Sequence, residues 1–457
     1  MAERLVVVGG DAAGMSAASV ARRRDPELEI VAFERGPYTS YSACGIPYYV
    51  SGLFDDSDRL ISRSPDEFRD SGIDVYTRCE VTGIDLGART LEVWDTDRRK
   101  SRIEGFDTLV YATGAEAVTG DFPGAELTEP VRTIDAAERF RAALEREHAR
   151  TAVIIGAGYI GIEMAEALVQ RGLEVTIVET CEQVMTTVDP DIAAHVQDAA
   201  ESLGIRVMLS TTVESVRHDD QGRPCEVHTS GGELQADHVV ISVGVKPVTA
   251  VAAAAGLELG EHGALKVDDH QRCPGFDGVW AAGDCVESWH RILERPLNVQ
   301  LGTHANKQGR IAGTNATGGD LAFPGVIGTA VSKLCRYEVA RTGMSEKEAD
   351  WVGREVVVAT VKDRTRAGYY PGSGPIWVKL TAEPSSGRLL GGQIVGVEGA
   401  AKRIDVLATA VWAGMTVGEL ELLDLSYAPP FSGVYDPVLT AARRTAKAVK
   451  EAAEATA

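Results

Sequence analysis

Apolar residues fall in short branched runs, each followed by a glycine turn and a small-residue helical stretch. The first thirty residues read strand, turn, helix, strand: RLVVVGG, then DAAGMSAASVARRR, then LEIVAFE. The same order returns at 151–180 as TAVIIGAG, YIGIEMAEALVQRG and LEVTIVE. Two β-α-β units in one chain predict two dinucleotide-binding domains, since one nucleotide needs one such unit. After residue 244 comes a short β-rich run and then FDGVWAAGDC, neither a third nucleotide unit nor a linker. From about 326 the pattern changes again. GTAVSK, REVVVATVK, PIWVKLTA and GGQIVGVEG read as strands and KRIDVLATAVWAG as a helix, a sheet with helices against it. The last stretch, TAARRTAKAVKEAAEATA, reads as a polar, alanine-rich surface helix with fraying.

Composition narrows this picture. At 457 residues the chain exceeds a single core, and 44% hydrophobic with 25% charged residues is the balance of a folded globular protein. No stretch approaches the roughly 18 uncharged apolar residues of a spanning helix, and LVVVGG follows Met1 too closely to leave room for a signal peptide. The expectation is a cytoplasmic protein without a membrane partner. A net charge of −21 argues against nucleic acid, while leaving room for a local basic pocket. The seven cysteines are scattered without any C-x-x-C pair, so they form neither a disulfide framework nor a zinc site, and no metal is expected.

In the second unit Gly156, Gly158 and Gly161 complete G-x-G-x-x-G between a strand and a helix. Such glycines permit a tight turn, close approach of backbone N–H groups to a pyrophosphate, and helix-on-strand packing. Glu179 ends the next strand, where a carboxylate can accept from both ribose hydroxyls and repel a 2′-phosphate. That favours NADH over NADPH. In the first unit Gly9 and Gly14 hold the outer positions, Asp11 stands in the middle glycine's place, and Glu34 ends the second strand.

Within YTSYSACGIPYYVSG, Cys44 is followed by Gly45 and an apolar run that could begin a helix. A thiol at a helix N-terminus meets partial positive charge and forms the reactive thiolate more easily. Without that placement it is an ordinary small buried residue.

Taken in order, VVVGGDAAGMSAA, SYSACGIPYYVSG, YATG, VIIGAGYIGIE, GVWAAGDC and YAPPFSGVYDPV resemble the pyridine nucleotide-disulfide oxidoreductases. The likeness is to the single-cysteine branch that includes coenzyme A-disulfide reductases, NADH oxidases and peroxidases, and persulfide reductases. It implies an α/β protein of glutathione-reductase type, with two Rossmann-like domains and an α+β C-terminal dimerisation domain. Residues 1–117 and 245–325 would bind FAD, 118–244 NAD(P), and 326–457 would form the homodimer interface. Two-cysteine members carry C-x-x-x-x-C; here Tyr49 holds the second position, so Cys44 would cycle through a mixed disulfide with substrate or through a sulfenic acid. The resemblance assigns Gly9, Gly14, Glu34, Arg35, Ala112, Thr113, Gly114, Asp284 and Ala305 to FAD. It assigns Gly156, Gly158, Tyr159, Ile160, Gly161, Glu179 and Gly244 to the pyridine nucleotide. His304 is either a general acid near the flavin or a spacer at its edge.

Three features choose within the branch. Peroxidases and many oxidases carry a histidine in the first glycine turn, where this chain has Ala12, so peroxide chemistry loses its acid–base partner. Tyr427 and Tyr369 match tyrosines that, in coenzyme A-disulfide reductases, reach the other subunit's active site, where a phenol can hold a leaving thiolate. Against this, Ala43 replaces the asparagine common before the redox cysteine. Ser40 and Arg23 stand where pantetheine and a phosphate could be met, although Arg22, Arg23 and Arg24 read equally as a solvated helix end. Lys402 and Arg403 could add charge from a partner subunit. The expected substrate is a small disulfide, coenzyme A disulfide or a related persulfide. An NADH oxidase is the alternative enzyme, and a flavin-dependent redox sensor the alternative of another class.

Overall fold

A computed structural model describes residues 3–147 and 149–456. The chain opens with β1 (Arg4–Val8), α1 (Ala12–Arg24) and β2 (Glu29–Phe33), then α2 (Ile46–Ser51), β3 (Asp74–Tyr76) and β4 (Thr108–Tyr111). The second unit holds β5 (Thr151–Ile155), α3 (Tyr159–Gln170), β6 (Glu174–Val178), β7 (Arg206–Met208) and β8 (His238–Ile241). β9 (Val279–Ala281) and α4 (Gly302–Ala316) follow. The C-terminal part comprises β10 (Ala330–Leu334), β11 (Tyr337–Gly343), β12 (Val357–Arg364), β13 (Pro375–Ala382), β14 (Leu389–Gly396), α5 (Ala400–Ala413) and α6 (Pro437–Thr456).

The first sheet runs β9-β4-β1-β2-β3, all parallel, with Val6 opposite Val31 and Leu109. The second runs β7-β6-β5-β8, also parallel, with Ile154 opposite Ile177 and Val240. In each, the central strand is an unbroken branched run because both faces are covered. Ala115–Ala117 pairs antiparallel with Val245–Pro247, so the chain leaves the first unit and re-enters it side by side. The third sheet is antiparallel, β10-β11-β14-β13-β12.

Small residues set the spacing around the first sheet. α1 turns Ala13, Gly14, Ala17, Ala18 and Ala21 inward, and α4 lies so close that a Cβ on Gly309 would sit 2.1 Å from the Ala13 carbonyl oxygen. α2 is buried against α3: Ile46, Tyr49 and Val50 share one core with Ile162, Ala165 and Leu168. This contact brings the cysteine segment of the first unit onto the glycine helix of the second.

The C-terminal stretch departs from expectation. α6 is not a frayed surface helix: Val438, Ala441, Ala442 and Thr445 are fully buried, and Ala446 and Val449 pack on the third core. Their helical spacing makes an apolar stripe that alanine content disguises in composition. Among the described residues, no helix is long and apolar enough to cross a membrane.

Candidate active site

The first cradle forms where β1 meets α1. Gly9 has φ +108°, and a Cβ there would lie 2.1 Å from the Ala112 carbonyl oxygen; a Cβ on Gly14 would lie 1.9 Å from that of Gly9. Glu34 closes the turn, its carboxylate accepting from the N–H groups of Gly10 at 2.7 Å and Gly36 at 2.6 Å. Thr113 Oγ1 donates to the Val248 carbonyl at 2.6 Å, which fixes the turn through Ala112 and Gly114. Asp284 is held by main-chain contacts: Gly283 N–H donates to Gln308, and the Asp284 carbonyl accepts from Asn298. Burial raises its carboxyl above the usual range, against the pull of Arg132, whose Nη2 lies 3.7 Å away.

Asp11 explains the missing middle glycine. Its Oδ1 accepts from the Tyr41 N–H at 3.2 Å, so it ties the cradle to the cysteine segment rather than capping α1. Burial lifts its carboxyl to about 6, the Tyr41 hydrogen bond opposing and Glu34 adding to the rise. Ser40 beside this anchor takes φ +47°, a left-handed conformation costly for serine, and its N–H donates to Gly10 at 3.0 Å.

Cys44, an exposed residue, lies in a single 3-10 turn, Ala43–Gly45, immediately before α2. The expected depression of its pKa is not found. Desolvation by the cleft walls pushes the thiol up, Glu163 and Asp284 push it further, and Arg132 opposes them. α2 is six residues long, and its weak N-terminal field loses to desolvation and to two nearby carboxylates. Tyr49 turns the other way: it is 7% exposed, 5.9 Å from Phe54, with the Arg141 guanidinium 4.8 Å over its ring. The phenol is therefore a core side chain, and it offers no sulfur to Cys44.

The second cradle repeats the first. Gly156 has φ +100°, and a Cβ on Gly161 would lie 2.1 Å from the Gly156 carbonyl oxygen. Glu179 accepts from Ala157 N–H at 2.7 Å and Cys181 N–H at 2.9 Å. Gly158, the α3 N-cap, faces open space. Ile160 is exposed, and Gly244 at φ +112° has nothing near its missing Cβ. Glu163, one turn into α3, accepts from Ser332 Oγ of β10 at 2.8 Å, and burial raises its carboxyl. Cys44 thus sits within electrostatic reach of Asp284 from one unit and Glu163 from the other.

The pattern of the pyridine nucleotide-disulphide oxidoreductases matches residues 3–309, and that of their dimerisation domain matches residues 329–437. The chain belongs to this family. It is 37% identical to the NAD(P)H coenzyme A polysulfide/persulfide reductase of Pyrococcus horikoshii, across 97% of this chain and 98% of the relative. It is 34% identical to the NADH oxidase of Methanocaldococcus jannaschii, across 97% and 99%. The structure of an NAD-dependent persulfide reductase from A. fulgidus superposes with a TM-score of 0.93 at 38% identity, covering 97% of this chain and 83% of that one.

Chemistry in this family uses FAD and NAD(P)H, and the first cradle fits a flavin nucleotide. Its outer glycines leave no room for side chains, Glu34 is set at the strand end, and His304 at the start of α4 keeps a buried Nδ1 with no hydrogen-bond partner. Burial holds the His304 imidazole below its ordinary range; the nearby Val299 carbonyl opposes this without forming an aligned bond. The lowered value disfavours the protonated ring that a general acid needs.

The remaining candidates divide. Arg35 stands exposed, 3.8 Å from Glu116. Of the three arginines, Arg22 is spent on the carbonyls of Pro26, Leu28 and Gly72 and Arg24 on Thr317, while Arg23 is exposed and has no partner among the described residues. Tyr369 and Tyr427 neighbour each other on the C-terminal part, 78% and 47% exposed. Desolvation, then Tyr427, holds the Tyr369 phenol above its usual range. Arg403 is not free to meet an anion: it pairs with Asp436 at 2.9 Å and donates to the Phe431 carbonyl, holding the segment that carries Tyr427. Lys402 pairs with Asp405. Sequence reasoning missed Glu163 and Arg132. Glu163 was visible in GYIGIE one turn past the glycines; Arg132 carries no local signal.

Proposed function

We propose that the protein is a homodimeric flavoenzyme using NAD(P)H to reduce a low-molecular-weight disulfide or persulfide, coenzyme A disulfide foremost, through a mixed disulfide on Cys44. The observation that carries this is an accessible Cys44 between the two cradles, with a buried tyrosine, Tyr49, in place of a second sulfur five residues on. Gly9, Gly14, Glu34, Arg35, Ala112, Thr113, Gly114, Asp284 and Ala305 would hold FAD. Gly156, Gly158, Tyr159, Ile160, Gly161, Glu179 and Gly244 would hold the pyridine nucleotide, with Glu179 favouring NADH. FAD, when bound, supplies the route for two electrons from NAD(P)H to sulfur.

The Cys44 thiolate attacks one sulfur of the substrate disulfide. The S–S bond breaks, one thiolate departs, and a mixed disulfide remains on Cys44. Two electrons originating in NAD(P)H then break that bond, restoring the Cys44 thiolate and releasing the second thiol. One NAD(P)H and one proton are consumed for two thiols formed. Desolvation, then Glu163 and Asp284, make the free thiolate costly, so Cys44 returns readily to a covalent or protonated state. Tyr427 and Tyr369, exposed in one chain, would reach the partner's cleft and hold the departing thiolate. Ser40 and Arg23 would meet the substrate's polar arm and a phosphate. Seven cysteines free of disulfides suit the reducing cytoplasm.

The second reading, an NADH oxidase, is supported by the 34% identical archaeal relative of that name. Ala12 supplies no acid–base group for it. Stopped-flow turnover of NADH in air, with and without coenzyme A disulfide, separates the two: acceleration by the disulfide is expected, and fast turnover indifferent to it would sink the reductase reading. Intact mass of the unreduced protein would identify any thiol carried on Cys44.

A further inference from the structure

The backbone of Ala157, in the floor of the second cradle, is held through both its polar groups. Its N–H donates to Glu179 at 2.7 Å, and its carbonyl accepts from the Met185 N–H at 2.9 Å. Met185 is buried with φ +46°, so the chain enters this contact in the left-handed region, where a non-glycine residue needs outside support. That support comes from the third sheet. Arg341 of β11, 7% exposed, donates to the Thr187 carbonyl at 2.6 Å and the Gly343 carbonyl at 2.7 Å and pairs with Glu348 at 2.7 Å. Two residues further, Asp189 is fully buried. Its N–H donates to Gln393 Oε1 at 2.7 Å, and its carboxylate accepts from Gln393 Nε2 at 2.6 Å and lies 3.1 Å from Lys379 Nζ. Lys379 also pairs with Asp191 and Glu346, each at 2.8 Å.

Buried charges cover an interface less favourably than apolar side chains of similar volume; what they add is a single permitted geometry. Every charge here is met by a directional partner, and the partners belong to two different units. We propose that Arg341, with Lys379 and Gln393, acts as a positioning residue for the pyridine nucleotide: through Thr187 and Asp189 it fixes segment 184–189, and that segment fixes the backbone of Ala157. The C-terminal sheet thereby contributes to nucleotide affinity in its own chain. This rests on reading 156–161 as the pyridine-nucleotide cradle.

The test uses the FAD-loaded dimer carrying Arg341→Met. Binding of NAD⁺ by calorimetry is expected to weaken about tenfold, and amide exchange at 156–158 and 184–189 to speed up. Oxidation of dithionite-reduced enzyme by coenzyme A disulfide should stay within about twofold. Unchanged NAD⁺ affinity in a folded variant, or equal losses in both half-reactions, would overturn the positioning role. Should Arg341→Met not fold, Gln393→Met removes the bonds to Asp189 and is read the same way. Gly161→Val is run in parallel. If it still binds NAD⁺, the cradle reading itself fails; if it loses NAD⁺ while both other variants keep it, only the positioning role fails.

Discussion

In the first cradle the Gly10 N–H donates to Glu34 at 2.7 Å; in the second the Ala157 N–H donates to Glu179 at 2.7 Å. The outer glycines also repeat, Gly14 over the Gly9 carbonyl and Gly161 over that of Gly156. The cradles differ at the middle position, where Asp11 reaches the Tyr41 N–H and Gly158 faces open space. The outer glycines are dictated by the turn itself, because backbone atoms occupy the volume a side chain would need. The middle residue answers to what lies in front of it. In the first unit that is the segment carrying Cys44, so a carboxylate there joins the glycine turn to the cysteine segment.

The widest break lies between the cradles. Cys44→Ser should lower disulfide reduction at least about a thousandfold while FAD content and NAD⁺ binding persist, measured on the same preparation. Retained reduction would mean that the two units communicate without this sulfur. The steric equivalence of the outer glycines comes next. Gly14→Val should abolish FAD retention and Gly161→Val the binding of NAD⁺, each by roughly a hundredfold or more, since the obstructing atoms are backbone. Absorbance of bound flavin and calorimetry read the two losses, and exchange of the phenotypes would refute the assignment.

The middle position is probed more gently. Gly158→Asp should weaken NADH binding about ten- to a hundredfold by setting a carboxylate before a pyrophosphate, with FAD unaffected. Asp11 gives a pH test in the flavin-free chain. Its folded value, about 6, exceeds the 3.8 of an ordinary aspartate, so the folded state binds the proton more tightly. The stability this contributes is fully present below about pH 4 and is lost as pH rises through 6, by about 2–3 kcal/mol. Asp11→Asn should flatten that loss in denaturant melts at pH 4 and pH 8. The smallest effect concerns Cys44. Glu163→Gln removes one of the carboxylates that raise the thiol, and the pH profile of its alkylation should move to lower pH. An unmoved profile would leave desolvation and Asp284 as the only causes.

The parts legible in sequence are those whose cause is local. Gly9, Gly14, Gly156 and Gly161 announce themselves because a turn between strand and helix excludes side chains within a few residues. Glu34 and Glu179 end strands at a fixed distance from those turns, and the six ordered motifs placed Cys44 within its family. The burial of α6 was hidden by a polar-looking composition, although its apolar spacing was on view.

What tertiary structure alone decided are contacts between segments far apart in the chain. The raised thiol of Cys44 comes first from desolvation by the cleft walls and then from Glu163 and Asp284, brought in from other parts of the chain. Arg22 and Arg23 are neighbours of identical type, yet one is consumed by carbonyls of a distant loop and the other left exposed. Arg341 and Asp189 meet through a segment that neither motif nor periodicity marks. Local sterics and periodicity act within a few residues, so one sequence states them. Electrostatics and desolvation depend on which surfaces come together, and only the folded chain sets that.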